Sequence, residues 1–340
     1  MRMFLRRASV VVGAAALTTA LVAVGLRYWP GESVPTIAAA SVSPYVFAIA
    51  IVVATAAVFA LRGHTRWVGG TMVAVVAVSG VAVHAPLFVS DDPPTGEALT
   101  VLTSNIQLGM GDISELASLV RKNEVDVLAV EELTPDAVQR ISESTIARDL
   151  PYSFVRPRTL AGGTAIYSRY ELSAPASLDG FGLENLTAVV TVPNVGEVQV
   201  FAVHPVPPSF PSDWAEELDR LRAAIGSAPS ERPVIALGDF NATTDHTQFR
   251  RLLSGGFADA ADLAGAGLLP TYPTDKWYPP VVGIDHVLVR GFGASAVTTH
   301  TISGADHRAV LARVAKLPSQ QALATIGAVS ITRAAMRRVR

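Results

Sequence analysis

Long uncharged apolar runs dominate the start of the chain. They cover residues 8–26, 37–61 and 67–89; the first two hold no charged residue, and His84 is the only potentially ionisable group in the third. Each run is about as long as the ~20 residues that a helix needs to cross a bilayer. Three such runs in succession, with short charged breaks between them, are more typical of membrane spans than of core helices in a soluble protein. We therefore predict a membrane domain over residues 1–89 with three transmembrane helices.

Basic residues around these runs predict their orientation. Three arginines precede the first run, and Arg62 and Arg66 lie between the second and the third. The break after the first run holds only Arg27, which Glu32 opposes. Positive-inside counting places the N-terminus and the second break in the cytoplasm, so everything after the third span lies outside. The first run could instead be a signal peptide, and either choice leaves the C-terminal portion outside the cell.

The pattern changes after a linker over residues 90–98 that is rich in acids and proline. From residue 99 to about 318, short apolar strands such as "VDVLAV" and "VIALGD" alternate with amphipathic helices, for example one capped by Asp112. Adjacent strands with interspersed helices predict two sheets packed face to face, with the helices outside. A basic tail over residues 319–340 follows, and it is either disordered or able to lie on anionic lipid.

Composition narrows the partners of this second domain. Mean hydropathy is +0.37 and charged residues make up 16% of the chain, which is too apolar for an ordinary soluble protein. The chain has no cysteine, so disulfides and thiolate metal sites are excluded. Residues 90–318 hold 28 acidic against 17 basic residues. Such an acidic domain argues against nucleic acid as a partner, because a phosphate backbone requires a basic face.

Polar side chains collect where the predicted strands begin or end. They are Asn105, Glu131, Glu132, His204, Asp239, Asn241, Asp285, Asp306 and His307. Each alone could be a turn former, a helix cap or a structural histidine. Together, carboxylates and amides without thiols suit a hard cation such as Mg²⁺. A carboxylate that orients an imidazole, with further polar groups for phosphoryl oxygens, indicates metal-assisted hydrolysis of a phosphate ester.

Seven short motifs in a fixed order carry a resemblance to a known family. In chain order they are "SNIQ", "DVLAVEEL", "AIYSRY", "FAVHP", "GDFNA", "IDHVLV" and "GADHRAVLARV", between Thr100 and about Val314. This series resembles the endonuclease/exonuclease/phosphatase superfamily, which includes pancreatic-type DNases, abasic-site endonucleases, neutral sphingomyelinases and inositol-polyphosphate phosphatases. The resemblance implies a four-layer αββα sandwich, so the predicted fold class is transmembrane helices followed by an α/β sandwich.

The resemblance also implies a metal side of the site. Glu132 would be the principal ligand of Mg²⁺ (or Mn²⁺), with Asn105 beside it and Asp306 as a further acid. The usual Gln-Glu pair of the family is here Glu131-Glu132, which leaves open which of the two acids binds the metal. Arg169, in the "YSRY" motif, is predicted to support the site.

The remaining roles implied by the resemblance concern the reaction. Asp239 would position or activate the attacking water, and Asn241 would hold the scissile phosphate. His307 would act on the phosphoryl group, with Asp285 fixing its tautomer. His204 would be a second catalytic histidine.

Membrane spans followed by an outward-facing domain of this superfamily resemble the teicoplanin-resistance (VanJ-type) membrane proteins of actinobacteria. This resemblance lies in architecture, because the spans carry no motif. It implies a bacterial cell-membrane enzyme acting on a lipid-linked phosphate or pyrophosphate at the outer leaflet, such as a polyprenyl pyrophosphate. The short linker, which extends at most about 30 Å, would keep the site near the bilayer. An anchored extracellular nuclease and a catalytically inactive binding domain are the alternatives.

Overall fold

The structure, a computed structural model, describes residues 2–318, and the predicted basic tail lies outside the described residues. Its helices are, in chain order, α1 (Arg2–Leu26), α2 (Val34–Ser41), α3 (Ser43–Phe59), α4 (His64–His84), α5 (Ile113–Lys122), α6 (Pro135–Glu143), α7 (Ile146–Asp149), α8 (Pro211–Gly226), α9 (Thr247–Leu252) and α10 (Ala260–Leu263). Its strands are β1 (Ala98–Asn105), β2 (Val127–Glu131), β3 (Tyr152–Arg156), β4 (Thr164–Ser168), β5 (Leu172–Ser177), β6 (Leu186–Val192), β7 (Gly196–Val203), β8 (Val234–Asp239), β9 (Ala258–Asp259), β10 (Asp285–Arg290), β11 (Phe292–Thr301) and β12 (Arg308–Lys316).

The apolar helices at the start of the chain pack on one another through small side chains. Ala20 of α1 and Ala54 of α3 are both fully buried in this cluster, and Val73 of α4 joins them. Two described segments, Arg6–Leu26 and His64–Phe88, are each long and apolar enough to cross a membrane. The structure thus has two candidate spans, or three if α2 and α3 together count as one.

The second predicted span is broken in the structure. The sequence predicted one helix over residues 37–61, whereas α2 and α3 meet there at a bend of 64°. Pro44 lies in the first turn of α3 and has no amide hydrogen to continue the hydrogen bonds of α2. Ile37 of α2 is also only 1% exposed, because it packs into the apolar cluster under α8 and α9 rather than against the other apolar helices. The bend therefore follows from a proline and from burial of Ile37 outside the helix bundle.

The second domain is the predicted sandwich of two sheets. One sheet has the order β11-β12-β1-β2-β4-β3 and the other β5-β6-β7-β8-β10-β9. Their facing sides share one apolar core, in which Val101, Ala129 and Leu237 are buried. Helices α5 to α7 cover the outer side of the first sheet, and α8 and α9 cover that of the second. The layers therefore follow the helix–sheet–sheet–helix order expected from the sequence.

The local sequence explains two of these elements, the start of helix α5 and the burial of strand β8. The carboxylate of Asp112 accepts hydrogen bonds from the amides of Ser114 and Glu115 at 2.7 and 3.1 Å, so it caps α5 as predicted. All six residues of β8 are buried, as its continuous apolar run predicts for a central strand. β8 lies between β7, to which it is parallel, and β10, to which it is antiparallel.

The strand registers bring the candidate residues to one edge of the sandwich. Strands β1 and β2 are parallel and end together, with Asn105 opposite Glu131. Strands β7 and β8 also end together, and Asp239 lies opposite Asp285, where β10 begins. We call this the polar edge: the edge where β1, β2, β7 and β8 end and where β4, β10 and β12 begin.

The apolar helices contact the polar edge directly, through the loop that follows β8. The guanidinium of Arg27, just after α1, donates to the carboxylate of Asp245 at 2.5 Å, and His84 Nε2 lies 3.5 Å from the same oxygen. His246 Nε2 lies 3.0 Å from the carbonyl oxygen of Ile37. We call this set of contacts the junction. Burial alone would raise the pKa of Asp245, but its hydrogen bonds to His84 and the charge of Arg27 lower it.

Candidate active site

Asp239 occupies the centre of the polar edge, at the end of β8. Its Oδ2 accepts a hydrogen bond from Asn105 Nδ2 at 3.1 Å, and its Oδ1 accepts one from the backbone amide of Asn241 at 2.8 Å. The preceding residue is Gly238, with φ at 150°. A Cβ atom there would lie 2.0 Å from the carbonyl oxygen of Val203 in β7. The glycine of the "GDFN" motif thus allows the two parallel strands to approach where Asp239 emerges.

Glu132 joins Asp239 through Asn105. The amide Nδ2 of Asn105 donates to Glu132 Oε1 at 3.2 Å as well as to Asp239, so both carboxylates point toward one amide. The backbone amide of Leu108 donates to Glu132 Oε2 at 2.7 Å. Glu132 and Asn241 have positive φ values of 56° and 50°, which are uncommon for residues with a side chain. Each sharp turn directly follows a buried strand and projects a polar side chain into the site.

The structure separates the roles of the two adjacent acids. Glu131 is fully buried, and the hydroxyl of Thr103 donates to its carboxylate at 3.0 Å. Burial, followed by the nearby charge of Asp285, holds the pKa of Glu131 well above its ordinary value. Glu132 instead is partly exposed at the polar edge. Of the pair, Glu132 is therefore the acid that faces the site.

His307 and Asp285 form a hydrogen-bonded pair at the start of β12 and β10. His307 Nδ1 donates to Asp285 Oδ2 at 2.9 Å, and its Nε2 lies 3.8 Å from Asp239 Oδ2. Burial alone would lower the pKa of His307, but the carboxylates of Asp285 and Asp239 raise it to about 10. The imidazole is therefore protonated at neutral pH, and the ring of Tyr272 packs 4.8 Å from it.

His204 has the opposite protonation state. Its Nε2 lies 3.6 Å from Asp239 Oδ2 on the side of β7. Burial, followed by the charge of His307, lowers the pKa of His204 to about 3, so this imidazole is neutral. The buried side chain of Asn185 holds its backbone, accepting from the His204 amide at 2.7 Å and donating to its carbonyl at 3.1 Å.

Opposing effects act on the pKa of Asp239, and burial makes the net shift upward. Burial and the charge of Asp285 raise its pKa, while His307 and the hydrogen bonds from Asn241 and Asn105 lower it, giving a pKa of about 7. A carboxylate poised in this range can accept a proton from a bound water under physiological conditions.

Of the three remaining residues predicted from the sequence, Asn241 and Asp306 lie at the polar edge and Arg169 does not. The Nδ2 of Asn241 donates to the carbonyl of Pro205 at 3.0 Å, which fixes its side chain between the ends of β7 and β8. Asp306 lies beside His307, partly exposed, and burial raises its pKa. Arg169 is not at the polar edge. It follows β4 at the opposite edge, where its guanidinium donates to Asp126 at 3.1 Å.

Arg169 is therefore a correction to the sequence prediction, because its charge stabilises the start of β2 instead of the site. Two residues that sequence reasoning missed do contact the site, Asn185 and Tyr272. In the sequence, Asn185 looks like an ordinary turn residue and Tyr272 like an ordinary loop aromatic. Their roles depend on contacts with residues far along the chain, His204 and His307.

The donor set at the polar edge fits a divalent cation. Among the described residues, Asp285 Oδ1, Asp306 Oδ1 and His204 Nδ1 are buried without a hydrogen-bond partner. Ligand atoms of Asp239, Asp285 and His307 lie within 4.8 Å of one another. His307 Nδ1 is engaged by Asp285, so only its Nε2 faces the site. Glu132, whose carboxylate lies beside Asn105, and Asp306, whose buried Oδ1 has no partner, are the oxygen donors that fit a cation.

The fold and this edge define an α/β sandwich with a carboxylate–imidazole site. The sequence profile of the Endonuclease/Exonuclease/phosphatase family matches residues 102–313, and the chain belongs to that family. Its members are generally metal-dependent hydrolases of phosphoester bonds. No curated protein sequence matches the chain.

Solved structures with the same fold include bacterial and animal proteins. An endonuclease/exonuclease/phosphatase from Beutenbergia cavernae DSM 12333 is 18% identical, with a TM-score of 0.52 over 65% of this chain and 72% of that one. TDP2 of D. rerio, in complex with a single-strand DNA product, is 17% identical, with a TM-score of 0.54 over 64% and 99%. A family protein from Bacteroides vulgatus is 15% identical, with a TM-score of 0.52 over 65% and 99%. At these identities the similarity shows the fold.

Proposed function

We propose that the chain is a membrane-anchored phosphoesterase that uses Mg²⁺ (or Mn²⁺). Its substrate is a lipid-linked phosphate or pyrophosphate at the outer face of the bacterial cell membrane. One observation carries the proposal: the polar edge that gathers Asn105, Asp239, Asp285 and His307 is the same edge that the apolar helices contact through Asp245. The candidate site and the apolar helices thus meet at one place.

The charge states of the site suit attack by water on a phosphate. Asp239, with its pKa near neutral, orients a water and takes its proton as general base. His307, kept cationic by Asp285, presents its Nε2–H to a phosphoryl oxygen. Neutral His204 can donate a further hydrogen bond without adding charge. This arrangement stabilises the negative charge of the transition state, which is the main requirement of phosphoryl transfer.

Glu132, Asn105 and the neighbouring acid Asp306 are the residues that would hold the divalent cation. When bound, the cation supplies Lewis-acid polarisation of the phosphoryl oxygens. Its positive charge also offsets the acids of the polar edge. His307 donates a hydrogen bond to Asp285 and lies 3.8 Å from Asp239, so its charge offsets part of this acidity.

Charge and location favour lipid over nucleic acid as the substrate. The DNA product in the TDP2 structure makes an anchored nuclease the competing proposal. Residues 90–318 carry 28 acidic against 17 basic residues, so long-range electrostatics would repel a polyanionic strand. A lipid phosphate is instead delivered in the plane of the membrane, beside the junction.

The first test separates an enzyme from an inactive binding domain. The full chain in lipid nanodiscs is assayed on bis-p-nitrophenyl phosphate with Mg²⁺ and with excess EDTA. We expect turnover with Mg²⁺ that EDTA abolishes and Mn²⁺ restores. Turnover that is undiminished in EDTA would overturn the proposed metal dependence, and no turnover of any phosphate ester would favour the binding domain.

A further inference from the structure

Exposed apolar side chains of the second domain are concentrated at the polar edge. Within residues 90–318 of the described chain, seven large apolar side chains are exposed. Six of them lie on loops at the polar edge: Leu108, Met110, Leu160, Phe210, Trp277 and Tyr278. The seventh, Tyr152, begins β3 opposite Ser168, at the other edge of the sandwich.

The strand registers show that these loops share an edge. Leu108 and Met110 follow Asn105, the last residue of β1. Leu160 precedes β4, whose first residue is paired with Glu131. Phe210 belongs to the loop after β7, and Trp277 with Tyr278 to the loop that leads into Asp285. The six side chains therefore lie on loops at the same edge as the candidate site instead of being scattered over the surface.

Several of these six side chains are too exposed to contribute to the packing of the fold. Trp277 is 95% exposed, Leu160 is 72% exposed and Phe210 is 58% exposed. Exposed single apolar residues are normal, but a group confined to one side of a protein marks an interaction surface. The only charges directly before Trp277 are Asp275 and Lys276, which pair at 2.7 Å. The tip of this loop therefore carries no net charge that would oppose contact with lipid.

The junction locates this surface relative to the membrane. Arg27 directly follows α1, and it binds Asp245 in the loop after β8. Pro44 and Tyr45, in the first turn of α3, line a crevice together with Val281 and Val282. The latter two belong to the same loop as Trp277. Ends of helices that cross a bilayer lie near its interface, so the polar edge lies at that level.

We propose that Leu108, Met110, Leu160, Phe210, Trp277 and Tyr278 form a membrane-contact rim that rests in the interfacial region of the outer leaflet. The inference rests on the proposed membrane anchoring and names the partner surface of the same site. Tryptophan and tyrosine favour this region, because they combine a large apolar ring with a polar group that stays hydrated. Apolar side chains in interfacial segments typically enter lipid to a depth of ~5–10 Å. The rim would bring the site onto a lipid headgroup without extracting the lipid.

The absence of cysteine allows a direct test. Single-cysteine variants Trp277→Cys and Phe210→Cys of the full chain are labelled with a nitroxide and placed in nanodiscs. Tyr152→Cys is the matched control, since Tyr152 is 44% exposed at the opposite edge. Relaxation of the nitroxide by oxygen, which partitions into lipid, is compared with relaxation by a water-soluble nickel chelate.

We expect the ratio of oxygen to nickel accessibility to be several-fold higher at positions 277 and 210 than at position 152. Equal ratios at all three positions would overturn the rim. This readout needs no catalysis, so it decides the rim even if the chain hydrolyses no lipid. Failure of the rim and failure of the proposed function are therefore distinguishable.

A kinetic comparison tests the consequence for substrate. The double variant Trp277→Ser/Phe210→Ser removes two exposed side chains that contact none of the reacting groups. We expect unchanged turnover of soluble bis-p-nitrophenyl phosphate and a several-fold loss of turnover on a lipid pyrophosphate in the nanodisc. Equal turnover of the lipid by this variant and by wild type would contradict the rim.

Discussion

At the scale of single residues, the site depends on two imidazoles with opposite protonation states around one carboxylate. His307 is held cationic by Asp285, and His204 is kept neutral by burial, although both lie within 4 Å of Asp239. The contrast arises because the charges of Asp285 and Asp239 outweigh burial at His307, whereas burial dominates at His204. Only His307 Nδ1 contacts a carboxylate, since His204 Nδ1 has no hydrogen-bond partner among the described residues. Asp239 is therefore positioned between a charged donor and a neutral one.

Replacing His307 should abolish chemistry without unfolding the domain. General acid–base and charge-stabilising groups typically contribute ~10²–10⁴-fold to rate. We expect His307→Ala to lower turnover of bis-p-nitrophenyl phosphate by that range, with a melting temperature within a few degrees of wild type. The matched control is His300→Ala on β11, whose imidazole contacts Thr298 away from the site. Near-full turnover by His307→Ala, or loss of turnover because the variant misfolds, would contradict a catalytic role for His307.

The variant Asp239→Asn should lose turnover without losing thermal stability. The folded pKa of Asp239 is raised, so the folded state holds its proton more tightly than the unfolded state does. Stability from this group is then present at low pH and is lost as pH rises toward about 7. In EDTA at pH 8 the variant should melt at or above the wild-type temperature while turnover with Mg²⁺ collapses. A variant that melts well below wild type would show that the ionised carboxylate stabilises the fold.

At the scale of elements, the junction joins α1 and α2 to the sandwich domain. Side chains of Arg27 and Asp245 are 13% and 3% exposed, so their ion pair is largely shielded from water. Ile37 extends the apolar cluster that contains Phe240, which lies between Asp239 and Asn241. The apolar helices thus support the loop that carries two of the candidate catalytic residues.

Breaking the junction should therefore destabilise the catalytic domain. Removing one partner of a buried ion pair typically costs ~3–5 kcal/mol, because the other charge remains buried. We expect Arg27→Ala to lower the stability of the full chain by an amount approaching that range and to reduce turnover. Arg232→Ala is the control, since it breaks the more exposed Arg232–Glu197 pair, where the cost is at most ~1 kcal/mol. Thermal unfolding in nanodiscs compares the two, and equal losses would show that the junction contributes little.

His246 should make this support sensitive to acid. Burial lowers its pKa to about 4, so the folded state keeps the imidazole neutral where the unfolded chain would protonate it. The stability it contributes is present above the ordinary histidine value and is lost as pH falls from ~6.5 toward the folded value, by on the order of 3 kcal/mol. We expect His246→Gln to show a smaller decline in melting temperature between pH 7.5 and 5 than wild type. Identical pH dependence in both chains would contradict this assignment.

Sequence reasoning placed the candidate residues correctly where they lie at the end of a regular element. Asp239 follows a continuous apolar strand, and Asp285 and His307 begin others, so period and motif order together placed them at one edge. It failed for Arg169, because a strand motif does not reveal which end of the strand faces the site. It also could not find the junction, since the contact of Arg27 with Asp245 joins residues 218 positions apart.

At the scale of the whole molecule, the helix ends imply one side for the catalytic domain. The end of α1, the start of α3 and the end of α4 all lie at the junction, which requires the helices to alternate in direction. Combined with the arginines before α1 and between α3 and α4, this arrangement predicts an outer location. We expect alkaline phosphatase fused after Val89 to be active in bacterial cells. If green fluorescent protein fused at that point is fluorescent and alkaline phosphatase is inactive, the domain lies in the cytoplasm and the predicted topology is wrong.

The central claim is metal-dependent hydrolysis of a lipid-linked phosphate. The most direct measurement offers a polyprenyl pyrophosphate and plasmid DNA to the same full-length protein in nanodiscs, with Mg²⁺, for wild type and Glu132→Gln. We predict phosphate release from the lipid by wild type, intact plasmid, and loss of most lipid turnover in Glu132→Gln. Nicking of the plasmid with the lipid left intact, or equal lipid turnover by both proteins, would contradict the claim.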